Sequence, residues 1–181
     1  MNQARHLISS VPSRAKKEIR SKGGIHSHEK IYLQSSDTGV SFALRIFVSE
    51  LFTGRRDIVF VRKETDATLI LGDKTLDDTA EELLASVLEG TVSSHLTLPK
   101  VRTIHPFSGI PAEEISAYAE YFGWNKETAL PSSPVHDFLH DFTADRPSAT
   151  YALKNVADKL HEKADILSLQ IDNHERGNRH D

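Results

Sequence analysis

Cysteine is absent from the 181 residues. That absence removes a disulfide framework, a thiolate zinc site, a cysteine-held iron–sulfur cluster and a thiol nucleophile together. Long apolar runs are missing too. No stretch approaches the roughly 20 residues of a membrane span, and the N-terminal MNQARHLISSVPSRAKKEIRSKGG has no long apolar h-region of a secretory signal. There is no low-complexity tract and no internal repeat. With 38% hydrophobic and 27% charged residues, the composition is that of a globular domain. The expected location is cytoplasmic, with no membrane partner.

What is present is an uneven charge. Residues 1–63 hold 12 of the 22 Lys and Arg but 5 of the 26 Asp and Glu, a balance of +7, and the remainder stands at −11. A basic N-terminal third can face an anionic partner such as RNA, and Arg14, Lys16, Lys17, Arg20 and Lys22 are its candidate contacts. The same charges also suit a solvated helix face that neutralises an acidic neighbour.

Three parts are expected: a basic arm or helix over residues 1–24, an α/β domain over 25–170 and a polar tail over 171–181. Residues 3–22 read as a short basic helix, beginning after Pro12 and stopped by Gly23-Gly24. KIYLQ (30–34), DIVFV (57–61), ATLILG (67–72) and TIHPF (103–107) read as strands. The link RKETD is short enough for a hairpin, which predicts that the second and third strands pair antiparallel. Residues 40–52 carry apolar residues at helical period. Residues 76–90 do so more strongly, with a stripe of Leu76, Ala80, Leu83, Leu84, Val87 and Leu88 and a stop at Gly90. Helices follow at 111–123 and 133–145, each opened by proline, the second with a buried stripe of Val135, Phe138, Leu139 and Phe142. A longer one covers 146–170. The expected fold is α/β, a small three-layer sandwich around a short, mainly parallel sheet with a helical C-terminal extension.

Two stretches point to chemistry. Ser35, Ser36, Asp37, Thr38, Gly39 and Ser41 lie between a strand and a helix, where backbone N–H groups can face a phosphate. An ordinary capped turn has the same pattern, and the Walker spacing GxxxxGK[ST] is absent. Asp77 and Asp78 open the helix that follows ATLILG. There they cap it, favoured by its dipole, or hold Mg2+ beside phosphate oxygens. His136 and His140 have a spacing that can share a metal, but the apolar stripe beside them places both on a solvated face; the HSH pair at 26–28 reads as a flexible loop. No metal site is assigned.

Three stretches together resemble one family. LILGDKTLDDTAEELLASVLEG is similar to the GHNxDDxAExxLxNxLRG strand, turn and helix of the PP-loop ATP pyrophosphatases that modify tRNA. IHPFSGIPAEEISAYAEYFGW resembles their following strand and xxEExxxYAxxxG helix. SPVHDFLHDFTADRPSATYALKNVADKL resembles VRDFLNxLExxxPGTxxxxLxxxxKL of the tRNA 2-thiolation branch. The likeness runs from about residue 66 to 161. It implies ATP and Mg2+ as ligands. ATP would lie across Ser35, Ser36, Asp37, Gly39 and Ser41 with Gly72 and Lys74, and Asp77 and Asp78 would be the catalytic acids. It implies tRNA as a partner, with a heteromeric thiolation enzyme or a second copy.

The chain departs from that family where its chemistry lies. The phosphate-gripping SGGxDS reads SSDTGVS. Asp73 and Lys74 replace the His and Asn after the glycine, and ALPSS (129–133) stands where the branch has a cysteine. Several βα units are missing before residue 66. The resemblance therefore implies a shortened, degenerate relative: a non-catalytic accessory or tRNA-binding subunit. The alternatives are an active ATP-dependent tRNA-modifying enzyme with a rewired loop and an external sulfur donor, or a fold-only protein-binding scaffold.

Overall fold

Leu69, Ile70 and Leu71 are all buried. Successive strand residues point to opposite faces, so this segment needs cover on both, the environment of an interior parallel strand. The computed structural model describes residues 2–34, 36–92, 100–126 and 133–177. Its strands are β1 (Lys30–Leu33), β2 (Val59–Val61), β3 (Leu69–Leu71) and β4 (Arg102–Ile104). They form one sheet in the order β2-β1-β3-β4, and every pair is parallel. Ile31 stands between Phe60 and Leu69, and Leu71 faces Ile104.

The hairpin expected over 57–72 is therefore wrong. The link carries a single 3-10 turn (Glu64–Asp66) and takes the chain past β1 to its other side. Thr68 N–H donates to Lys30 O at 2.8 Å, and Lys30 N–H donates to Thr68 Oγ1 at 2.9 Å. A hairpin would leave β3 at an edge. Insertion between β1 and β4 buries it.

The helices are α1 (Asn2–Ser21), α2 (Gly39–Leu51), α3 (Leu76–Leu88), α4 (Ala112–Tyr121), α5 (Pro134–Ala144) and α6 (Ser148–Gly177). The described residues pack as two compact units, one from residues up to 78 and from 101 to 132, the other from 79 to 100 and from 133 onward. In the first, α4 packs on both α1 and α2. Val11, Ala15 and Ile19 of α1 enter the same core as Ala43, Leu44, Phe47 and Val48 of α2 and Ile115, Tyr118 and Ala119 of α4.

Pro12 does not start α1 but lies inside it. It removes one backbone donor, and the buried neighbours Val11 and Ala15 offset that loss. Gly23 (φ +91) ends the helix, with Gly24 N–H on Ile19 O at 2.9 Å and Gly23 N–H on Arg20 O at 3.2 Å. That pattern is the Schellman stop. Arg102 reaches back from β4 to Gly24 O at 2.9 Å and pairs with Glu29.

In the second unit, Ser133 caps α5 by accepting from His136 N–H at 2.9 Å. The predicted stripes hold in part. Ala80 and Leu83 are buried, but Val87 and Leu88 in the last turn of α3 are exposed. On α5 only Leu139 is buried. Phe138 and Phe142 lie outside the core, stacked on each other at 5.9 Å, with Arg146 over Phe142 at 5.3 Å. Shared cover from a ring and a guanidinium takes the place of burial there.

Tyr118 supplies a test of the first unit. It is buried, and its hydroxyl has no partner among the described residues. Burial pushes its pKa up to about 12, with the charge of Glu50 adding to the shift. The folded chain thus keeps a proton that an unfolded tyrosine loses near pH 10, so stability falls as pH rises from about 10 to about 12. Tyr118→Phe should leave neutral-pH stability unchanged or raise it by about 1 kcal/mol and flatten that alkaline loss, read by circular-dichroism melts.

Candidate functional site

The sheet order reverses between β1 and β3. From β1 the chain goes through α2 to β2 on one side, and from β3 through α3 to β4 on the other. The two departing loops diverge and leave a crevice beyond the C-terminal ends of the strands. Open α/β sheets bind their ligands at such a switch point. The candidate residues at 36–41 and 72–74 lie there; Ser35 is outside the described residues.

Thr38 is the N-cap of α2, extended at φ −124, ψ 158, and its Oγ1 accepts from Ser41 N–H at 3.2 Å. Ser41 is buried, and its Oγ accepts from Ser36 N–H at 2.8 Å. The Ser36 hydroxyl lies 3.0 Å from that of Ser41 and 3.1 Å from that of Thr38. The Asp73 carboxylate closes this cluster. Its Oδ2 accepts from Ser36 Oγ at 3.1 Å and also from Ser41 Oγ. The hydroxyls of Ser36 and Ser41 are thus turned onto an internal acid. Asp73 lies 37 and 32 residues from these serines, and sequence reasoning missed the contact.

The glycines have packing reasons. A Cβ on Gly39 would sit 3.1 Å from Trp124 Nε1, and one on Gly72 would sit 2.3 Å from the His105 ring. Trp124 also packs on Phe42 at 5.4 Å and carries Lys126 over its face at 5.5 Å. Lys126 in turn holds Asp37 at 2.8 Å. That hydrogen bond keeps the Asp37 carboxyl below its usual range. Lys74 is half-buried in the turn before α3.

Asp77 and Asp78 serve two different helices. Asp78 Oδ2 accepts from Thr75 N–H and Thr75 Oγ1, both at 2.7 Å, while Thr75 Oγ1 accepts from Asp78 N–H at 3.3 Å. This is a capping box with Asp in the acid's place. Asp77 turns away, and its Oδ2 accepts from Ala112 N–H at 2.6 Å. Ala112 opens α4, whose own cap residue, Pro111, makes no side-chain cap bond.

The basic residues divide. Arg14 is used internally, on Glu114 at 2.7 Å and Gly109 O at 2.8 Å. Lys16, Lys17, Arg20 and Lys22 are exposed. Lys16 and Arg20 join Arg55 around a cavity of about 250 Å³ whose apolar lining is Ile19, Ile25, Leu51 and Phe52. Arg55 stands over Phe52 at 5.8 Å and forks onto Asp57 at 3.0 and 2.5 Å. Sequence reasoning missed Arg55, although the Arg55-Arg56 pair was a signal. The crevice is at the start of α2 and the cavity at its end, so the 13-residue helix separates them by about 20 Å.

The histidine pair does not converge. His136 Nδ1 lies 3.2 Å from Glu81 Oε2, while exposed His140 lies beside Asp141. Among the described residues no three His, Asp or Glu are grouped to hold a metal ion.

No protein-family model and no curated protein sequence matches this chain. Among solved structures it is similar to the U34-tRNA thiolase NcsA from Methanococcus maripaludis with its 4Fe-4S cluster. The TM-score is 0.69, over 88% of this chain and 80% of that one, at 14% identity. The fold is shared with a tRNA thiolase. This chain has no cysteine with which to hold such a cluster.

The two acids give separable stability effects. Asp77→Ala and Asp78→Ala should each cost about 1 kcal/mol in urea unfolding, as lost helix caps do. They hold different helices but are neighbours in one turn of α3, so the double variant should lose more than either single one, with coupling expected between them.

Proposed function

We propose that this chain is a non-catalytic relative of the ATP-dependent tRNA-thiolating enzymes, acting in the cytoplasm as an RNA-binding accessory subunit beside an active partner. The observation that carries the reading is Asp73. Its carboxylate occupies the hydroxyls of Ser36 and Ser41 at the switch point. A triphosphate gripped there would meet that charge. Two like charges about 4 Å apart repel by about 4 kcal/mol at an effective dielectric of about 20. That is most of the roughly 5.5 kcal/mol of a 100 μM affinity. The two acids that would hold Mg2+ are engaged in helix caps.

RNA contact is assigned to the other end of α2. Lys16 and Arg20 beside an apolar cavity suit the phosphates of an RNA backbone, while Arg55 is held on Asp57 and covers the buried Phe52 ring. Lys17 and Lys22 add exposed charge on α1 and the residues just after it. The shared fold with a tRNA thiolase supports tRNA as the RNA, and the lack of cysteine leaves cluster and persulfide chemistry to the partner.

Calorimetry and tRNA binding test the two halves. Mg-ATP should give no binding tighter than about 100 μM. The unmodified chain should retain tRNA, and the Lys16→Ala/Arg20→Ala variant should lose roughly tenfold in affinity with a salt slope shallower by about 1–2. Tight Mg-ATP binding would restore the active-enzyme reading. Equal tRNA affinity of the variant would remove the assigned surface.

A further inference from the structure

β2 is one of the two outer strands of the sheet, and among the described residues no strand pairs with its outer side. Val59 is 54% and Phe60 48% exposed. Val59 N–H donates to Glu29 O at 3.2 Å, so the backbone of Val59 faces β1. Backbone groups alternate along a strand. Phe60 N–H and C=O therefore point outward, away from the sheet, as a template for another strand. Proline, one of the usual guards of such an edge, is absent from residues 53–64. The Phe60 ring rests edge-on against Phe52 at 5.5 Å, which leaves the strand presented outward.

The segment Arg-Asp-Ile-Val-Phe-Val-Arg-Lys-Glu (56–64) is complementary in charge to itself. Laid antiparallel to its own copy about Phe60, Phe60 meets Phe60, Val59 meets Val61 and Asp57 meets Lys63. Arg56 and Glu64, just beyond the strand, repeat the opposition. Each unlike pair occurs twice by symmetry. A slip of one residue one way sets Asp57 against Glu64, and the other way sets Arg56 against Lys63. Asp57, Arg62 and Lys63 lie at bends on either side of the strand, so the ladder spans Val59–Val61 and the charged pairs flank it. Asp57 already holds Arg55, and a carboxylate has lone pairs for both cations.

We propose that two copies of this chain join β2 to β2 antiparallel about a two-fold axis at Phe60, giving one continuous eight-stranded sheet. The interface is isologous, and Phe60 exchanges both backbone hydrogen bonds with Phe60 of the second copy. This pairing does not rest on the RNA-binding reading, although Asp57 is shared with the cavity cation Arg55.

The absence of cysteine makes the test clean. In the full chain, Phe60→Cys places two thiols across the axis with Cα atoms about 5.5 Å apart, within disulfide reach. Arg62→Cys places its thiol opposite Ile58, about 13 Å along the strand from its own copy. Mild oxidation should give a covalent dimer for Phe60→Cys and none for Arg62→Cys on a non-reducing gel. By light scattering the unmodified chain should have twice the chain mass, and Lys63→Glu should weaken that dimer at least tenfold while keeping the circular-dichroism spectrum. A monomeric unmodified chain overturns the proposal. So does a dimer that Lys63→Glu leaves intact, or cross-linking of Arg62→Cys as fast as Phe60→Cys.

Discussion

Leu69, Ile70 and Leu71 have to be covered from both sides, and that requirement organises the first unit. It forces the chain leaving β2 to cross β1, held by the reciprocal contact of Thr68 and Lys30. Once β3 is interior, its outgoing loop diverges from the loop leaving β1. Only then do Asp73, from one loop, and Ser36 and Ser41, from the other, come within hydrogen-bond range. Burial of three side chains thus decides the polar contacts at the end of the sheet.

Those contacts form a closed economy of acids. Asp73 takes hydroxyls, Asp78 takes the start of α3, Asp77 takes the start of α4, and Asp37 takes Lys126. Asp77 and Asp78 sit at helix starts, where backbone donors lack partners and dipoles favour negative charge, while Asp37 and Lys126 form an exposed pair. The same positive ends are what a phosphate uses. In this chain carboxylates of the chain itself take the hydroxyls of Ser36 and Ser41 and the starts of α3 and α4.

Much of this was readable in residues 39–51, 76–88 and 112–121, where apolar period and Gly or Pro punctuation place α2, α3 and α4 within one or two residues. The short apolar strands were readable too, and so was a mainly parallel sheet. The pairing of β2 and β3 was not, since a five-residue link fits a hairpin as well as a crossover and the deciding bond joins Lys30 to Thr68. Phe138 and Phe142 follow the helical period yet stack outside the core, because period marks a face and not what covers it. At the site, the serines and the acid pair were identifiable by type and position. That Asp73 would lie on those serines, or that Asp77 would cap a helix opened 35 residues later, depends on tertiary approach that local pattern does not encode. Arg14 showed the converse: a basic residue grouped with exposed neighbours is spent on Glu114.

Trp124 closes over Gly39 at the start of α2, against Phe42 and beneath the Lys126 ammonium. It is the chain's sole tryptophan. The protein therefore carries its own optical probe at the mouth of the crevice. Its indole emission reports the polarity and nearby charge of that one place, with no label attached and no second indole to blur the signal, so any opening of the loop over α2 registers as a change in colour or intensity.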